Sequence, residues 1–323
     1  MKAQLLLAGI ILGMSGISAC TGNKKDVMTE KETMEVWKDY PVGHIVFDDQ
    51  APETEGSKVY HRIITNPQEY IADQARTVLA TLYDSPVDSI VPVDTIHYSL
   101  QDIEGISAKG GGNGVVSIFY STRHIENSFA ANDTAKLFFE TRGVLLHELT
   151  HAYQLEPQGI GNYGSSRVFW AFIEGMADAV RVANGGFTPD ARPKGGNYMD
   201  GYRTAGYFFV WLRDNKDKDF LRKFNRSTLE VVPWSFNGAI KYALGEQYDI
   251  DQADESHFVF DHILDFAFEN IKLQLAIFKK QKIIDYEKDT ENNLSMCFFA
   301  GVFSFCRELN SVCQSYDWYR WIW

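Results

Sequence analysis

The sequence predicts an α+β protein whose β-sheet lobe precedes a mainly helical lobe. Segments that favour strands lie in the first half of the central region, whereas amphipathic helical patterns dominate its second half. We assign this region to residues 41–252. Its roughly two hundred residues can bury a core without disulfides. Residues 1–19, 20–40 and 253–323 form three further segments.

The first half of the central region contains four predicted strands and one helix. Residues 67–83 predict the helix, because their apolar side chains recur on one helical face. The glycine-rich residues 109–114 indicate a flexible loop. No strand-to-helix phosphate cradle surrounds that loop. β-branched and aromatic residues predict strands at Val42–Asp48, Val59–Ile64, Thr95–Leu100 and Val115–Tyr120.

Three amphipathic segments predict the helices of the second half. The first runs from about Asp133 to Gln154 and is capped by Asn132 or Asp133. The second spans 169–183 and ends at Gly185-Gly186. The third spans 202–213, so the second half forms a helical layer beneath a cleft.

The first of these helices carries His147-Glu148-Leu149-Thr150-His151. On a helix, the i, i+4 spacing turns both imidazoles to one face. Zinc prefers imidazole and carboxylate ligands in a tetrahedral shell, and a catalytic site keeps the fourth position for water. The motif therefore predicts two zinc ligands, His147 and His151, with Glu148 beside the water.

The second helix contains two carboxylates, Glu174 and Asp178, also at i and i+4. Glu174 can complete a three-ligand set, and Asp178 could accept the remaining N–H of a ligand imidazole, that of His147. A carboxylate in this apolar segment is costly unless a cation compensates it. Alternatively, both carboxylates could pair with Arg181 or Arg167.

These two motifs, together with residues 201–209, resemble the basic secretory protein family of plants and bacteria. That family belongs to the gluzincin metallopeptidases, which share His-Glu-x-x-His and a later Glu-x-x-x-Asp. The similarity runs from about Val42 to about Gln252. The "basic" label does not transfer, because the chain has a formal charge of -12 and a pI near 5.1.

The resemblance implies a zincin-like metallopeptidase with an upper mixed β-sheet lobe, an active-site helix and a mainly helical lower lobe. It implies a single zinc ion held by His147, His151 and Glu174, and a protein or peptide substrate. The strand of the upper lobe nearest the metal, taken as Val115–Tyr120, would align an extended peptide by backbone pairing.

The predicted reaction is hydrolysis of a peptide bond. Zinc lowers the pKa of its water, and Glu148 takes the proton and returns it to the leaving amine. The oxyanion also needs a donor. Tyr202 is the first candidate, with Tyr207 and Tyr163 behind it. The alternative for Tyr202 is core packing with a satisfied hydroxyl.

The amino terminus predicts a bacterial lipoprotein signal. Lys2 is followed by an apolar run, Leu5–Ile17, and then by Cys20 as the lipid-accepting residue. Acyl chains on Cys20 would anchor the protein in the cell envelope, at the outer membrane or cell surface, through a tether at 20–40. The alternative is an ordinary cleaved signal with an incidental cysteine.

The net charge of the chain bears on its possible partners. The acidic balance argues against nucleic acid, which requires a basic stripe. The extension at 253–323 carries Cys297, Cys306 and Cys313 and has no assigned role; it is either lineage-specific or the product of a shifted reading frame.

The leading hypothesis is a surface-tethered zinc endopeptidase. The alternative is a non-catalytic lipoprotein that keeps the fold and binds peptide or glycan. Glu148 is intact, which favours catalysis because its loss is the simplest way to disable such a site.

Overall fold

The computed structural model of the chain describes residues 30–128 and 133–253. The predicted signal, Cys20 and the three C-terminal cysteines lie outside these residues, as does nearly all of the predicted extension. Within the described ranges, no helix is long and apolar enough to cross a membrane. The first described helix, α1, spans Glu30–Trp37.

The end of the predicted tether belongs to the folded protein. The Trp37 side chain is fully buried, and its ring meets that of Tyr40 edge-on with centroids 5.2 Å apart. Val42 is also buried in the same hydrophobic core. Trp37 thus belongs to the core and Tyr40 packs against it, so the last residues of the predicted tether contact the folded domain.

The described residues form a mixed α+β fold with a mixed sheet, as predicted, and this sheet has four strands. The strands are β1 His44–Asp49, β2 Thr95–Gln101, β3 Ser107–Gly112 and β4 Val115–Ser121. Their order in the sheet is β1-β2-β4-β3. The first two strands and β4 run parallel, whereas β3 pairs antiparallel with β4.

The glycine-rich segment forms a strand and a tight turn, so its prediction as a flexible loop was wrong. Asn113 and Gly114 have φ values of 53° and 79°, and Gly112 pairs with Val115 across this two-residue turn. Positive φ at both central residues is what a type I′ hairpin needs, and Asn-Gly is its usual sequence. The strand β3 therefore forms an edge of the sheet.

This hairpin changes which strand is available to a substrate. The predicted strand at Val115–Tyr120 exists as β4, but β4 is internal because β2 and β3 pair with its two sides. Its backbone groups are already used in the sheet. The prediction that β4 aligns a peptide was therefore wrong, and β3 is the edge strand that lines the cleft.

The predicted strand at Val59–Ile64 is part of a helix, α2 (Glu55–Ile63). The Thr54 side chain caps this helix by accepting from the Ser57 backbone N–H. Val59 and Tyr60 are buried at helical spacing from Gly56. Burial in the core therefore outweighs the strand preference of the β-branched residues.

The other predicted helices are present. The helix with the His-Glu-x-x-His motif is α5 (Thr134–Tyr153), and Asp133 caps it by accepting from the Lys136 N–H. The remaining helices are α3 Pro67–Leu82, α4 Thr122–Ser128, α6 Arg167–Ala183, α7 Tyr202–Asn215, α8 Phe220–Glu230 and α9 Phe236–Leu244.

Two glycines allow α6 and α7 to pack closely. A Cβ at Gly206 would lie 2.9 Å from the backbone nitrogen of Ala179, and one at Gly175 would lie 2.7 Å from the Ala205 Cβ. Such distances leave no room for a side chain. This contact fixes α6, which carries Glu174 and Asp178, against α7, which begins at Tyr202.

Candidate metal centre

Three side chains from two helices converge in the cleft. His147 and His151 extend from α5 and Glu174 from α6. The Nε2 atoms of the two histidines lie 3.0 Å apart. The Glu174 Oε2 atom lies 3.3 Å from Nε2 of His147 and 3.7 Å from Nε2 of His151. The sequence-predicted ligand set is thus brought together around one point.

The donor atoms have the spacing of ligands to one small cation. Tetrahedral zinc with bonds of about 2.0–2.1 Å separates its ligand atoms by about 3.3 Å. The observed separations of 3.0, 3.3 and 3.7 Å are close to that value. The buried Oε2 of Glu174 has no hydrogen-bond partner among the described residues. The residues present therefore fit a zinc ion.

The electrostatics of the site also favour a cation. Burial lowers the pKa of His147, but the hydrogen bond with Asp178 and the adjacent Glu174 carboxylate outweigh this effect and raise it to about 10. Burial, together with the charge of His147, lowers the pKa of His151 to about 3. The carboxylates thus create a negative potential where the imidazoles meet, and they stabilise one positive charge there.

Asp178 holds the first histidine from behind. Its Oδ1 atom lies 2.7 Å from Nδ1 of His147, and the Asp178 side chain is 5% exposed. A proton on Nδ1 leaves Nε2 of His147 free to act as a ligand. The structure thus places Asp178 where the sequence predicted it.

Gln154 holds the second histidine, and the sequence prediction missed it. The Gln154 amide is buried, and its Nε2 lies 2.8 Å from Nδ1 of His151 while its Oε1 has no partner in the described chain. Ligation through Nε2 requires a proton on Nδ1 of His151. Turning the amide by 180° gives that N–H an acceptor. The sequence contains one indication of this contact: Gln154 follows His151 by three residues, a spacing that places two side chains on the same face of a helix.

We expect Gln154→Leu to weaken zinc binding by about 10-fold to 100-fold, the usual effect of losing a partner of a metal ligand. Gln154→Glu should retain binding, because a carboxylate also accepts from Nδ1–H. Competition with a fluorescent chelator measures both affinities. Equal affinities for Gln154→Leu and the wild-type protein would contradict this role for Gln154.

Three tyrosines were candidates for the oxyanion donor, and the structure separates them. The Tyr163 hydroxyl donates to Oε1 of Glu174 at 2.6 Å. The Tyr202 ring stacks on His147, with centroids 6.0 Å apart and planes 11° from parallel. The Tyr207 hydroxyl donates to the Thr188 carbonyl at 2.7 Å. Tyr163 and Tyr202 therefore lie at the cluster, whereas the hydroxyl of Tyr207 is committed to a backbone carbonyl.

Tyr202 also has a strained backbone. Its φ is 40°, in the left-handed region that bulky residues rarely adopt. The preceding Gly201 has φ 65°, and a Cβ there would lie 2.7 Å from the Trp170 ring. Such strain persists only where the surrounding structure enforces it, and it is concentrated at functional sites.

Glu148 lies beside the cluster in a cleft of about 440 Å³. Glu148 is 6% exposed. Burial raises its pKa above the usual value, although the charge of His147 and hydrogen bonds with Ser107 and the Lys109 backbone oppose that shift. A glutamate whose pKa is raised is better suited to accept and return a proton. The edge strand β3 lines the same cleft with Ser107, Ala108 and Lys109.

The fold and the site together define a mixed α+β protein with a candidate metal centre in an open cleft. Within the described ranges, His147, His151 and Glu174 are the group able to hold a metal ion. A family model described as a peptidase of plants and bacteria matches residues 43–253, more than half of the chain. The chain belongs to this family, which confirms the resemblance to the basic secretory protein family. Neither a curated protein nor a solved structure matches the chain significantly.

Proposed function

We propose that this protein is a zinc-dependent peptidase that hydrolyses peptide bonds at the cleft between β3 and α5. One observation carries the proposal: His147, His151 and Glu174 converge beside the buried Glu148, in a chain that belongs to a peptidase family. Two imidazoles and a carboxylate are a common ligand set of catalytic zinc, which leaves a fourth position for the reaction.

When bound, zinc supplies Lewis acidity that polarises the scissile carbonyl and activates a water molecule. The remaining steps belong to the protein. Glu148 accepts a proton from the attacking water and delivers it to the nitrogen of the leaving amine. Asp178 and Gln154 fix the two imidazole rings, so that little reorganisation accompanies the reaction.

Tyr202 donates a hydrogen bond to the oxygen that develops negative charge. The position of its ring against His147 supports this role. Burial and the negative charge of Glu174 raise the pKa of Tyr202, which keeps the hydroxyl protonated as a donor. Tyr163, whose hydroxyl holds Glu174, is the second candidate.

The fold of the proposed enzyme is zincin-like, with the sheet as the upper lobe and the helices around α6 and α7 as the lower lobe. The substrate lies extended along β3 and pairs with its free backbone edge. This assignment replaces β4, whose two edges are occupied within the sheet.

Removal of the metal tests the proposal. We expect a chelator to abolish cleavage of a peptide library by the purified protein, and stoichiometric zinc to restore it. Metal analysis of the active protein should give one zinc per chain. Cleavage that persists after complete removal of the metal would refute zinc dependence. Peptide binding without any cleavage would favour the non-catalytic alternative.

Anchoring through acylated Cys20 is part of the same proposal, supported by the lipoprotein-like sequence that precedes it. We expect Cys20→Ser to move the protein from the membrane fraction to the soluble fraction of cells. Retention in the membrane fraction would contradict lipid anchoring at this residue.

A further inference from the structure

A second cavity adjoins the candidate metal centre at Glu148. Its volume is about 840 Å³, and it shares the side chains of His147, Glu148 and Tyr202 with the cleft described above. A substrate that crosses the cleft therefore places residues from one side of the scissile bond in this cavity. Apolar side chains line part of its wall: Ile106, Phe139, Val144 and Phe187.

Most charges around this cavity are already paired. Glu140 accepts from Arg181 at 2.8 Å and lies 3.0 Å from Nε2 of His124. Asp178 holds His147. Arg181 also donates to the Gly186 carbonyl and lies 3.9 Å from the centre of the Phe187 ring. These groups are satisfied within the protein and offer no free charge to a ligand.

Arg203 differs from the other charged groups of the cavity. It is exposed, and no carboxylate in the described parts of the chain forms an ion pair with it. Its guanidinium donates to the Ala191 carbonyl at 3.4 Å and lies 6.0 Å from the centre of the Phe187 ring. A guanidinium at the wall of a cavity presents a planar set of donors that matches a carboxylate.

The position of Arg203 in its helix supports the same conclusion. It occupies the first turn of α7, whose start at Gly201 has no side-chain cap. A cation in a first turn opposes the helix dipole, whereas an anion there is favoured. A bound carboxylate would therefore compensate both the arginine and the uncapped end of the helix.

We propose that this cavity is a subsite for a carboxylate of the substrate, bound by Arg203. The carboxylate belongs either to an acidic side chain or to the free carboxyl terminus of a peptide. The apolar wall accommodates the carbon chain that carries it. The proposal rests on the proposed peptidase function, and it assigns a substrate class to the site.

The test uses two sets of paired peptides and the full, metal-loaded protein. In the first set, a single glutamate is moved through a neutral, C-terminally amidated peptide, and each member is matched by its glutamine counterpart. In the second set, neutral peptides with a free carboxyl terminus are matched by their amides. We expect one set to show a kcat/KM about tenfold higher for the carboxylate member than for its neutral partner. The difference should come mainly from a lower KM.

Arg203→Gln should reduce that preference to about one. Arg203→Lys should retain part of it, because the charge remains while the planar donors are lost. Arg226→Gln is the matched control, since Arg226 is exposed on α8 and lies outside both cavities. Equal cleavage of carboxylate and amide in both sets, or a preference that survives Arg203→Gln, would overturn the proposal.

Binding separates this proposal from the function on which it rests. If no peptide is cleaved, the peptidase proposal fails, and calorimetric titration of the same peptides decides the subsite. Tighter binding of the carboxylate member that disappears in Arg203→Gln supports the subsite. Equal binding of both members overturns it.

Discussion

Glu148→Gln is expected to lower kcat for peptide hydrolysis by about 10²-fold to 10⁴-fold, the usual contribution of a positioned general base. Glutamine keeps the size of the side chain but cannot accept the proton from water at neutral pH. Since Glu148 is not one of the three residues whose ligand atoms converge, the zinc content of the variant should remain unchanged. Steady-state kinetics and metal analysis on the same preparation measure both quantities.

The matched control is Glu53→Gln, because Glu53 is exposed and its side chain takes no part in the cleft. It should cleave peptides as the wild-type protein does. Full activity of Glu148→Gln with zinc bound would eliminate Glu148 as the base. Loss of zinc in that variant would instead indicate that Glu148 supports the metal.

Glu174→Ala should produce the second large effect, the loss of tight zinc binding. Replacing a partner of a ligand typically costs 10-fold to 100-fold in affinity, so removal of a ligand itself should cost more than about 100-fold. Peptidase activity should fall with zinc occupancy. The variant also loses the acceptor of the Tyr163 hydroxyl.

Thermal unfolding provides a readout that does not depend on activity. Zinc at 100 times its Kd stabilises a folded protein by about 2.7 kcal/mol. The wild-type protein should therefore unfold at a higher temperature when zinc is added, and Glu174→Ala should show no such shift. Glu230→Ala, an exposed change on α8, should respond like the wild-type protein. A normal zinc-induced shift in Glu174→Ala would show that Glu174 is not a ligand.

The residues of the candidate metal centre could be picked out from the sequence because their spacing is local. Both pairs, His147 with His151 and Glu174 with Asp178, lie four residues apart on helices that strong apolar patterns define. That these two helices lie side by side is a property of the tertiary structure. The sequence indicated it only because both pairs of residues could bind the same cation. The structure brings the two pairs together, and the family match covers both motifs.

The features that the sequence did not predict depend on tertiary context or on a missed turn. Glycine clusters usually mark loops, so residues 109–114 predict a loop, whereas Ser107–Gly112 form a strand that ends in the Asn113-Gly114 turn. The segment that contains Val59 and Tyr60 is the helix α2 rather than the predicted strand. Both side chains are buried, and this burial depends on the tertiary structure. The function of Gln154 as a partner of His151 can be recognised only from the structure, in which its amide contacts Nδ1 of the imidazole.

The composition of β3 has a consequence for what such an enzyme can distinguish. Its last three residues, Gly110, Gly111 and Gly112, present bare backbone along the free edge of the sheet. A peptide that docks there would pair its backbone with the backbone of β3, and such pairing does not depend on the side chains of the peptide. At this glycine end of β3 a docked peptide would contact only backbone, so any side-chain discrimination by the strand is confined to Ser107, Ala108 and Lys109, which line the cleft.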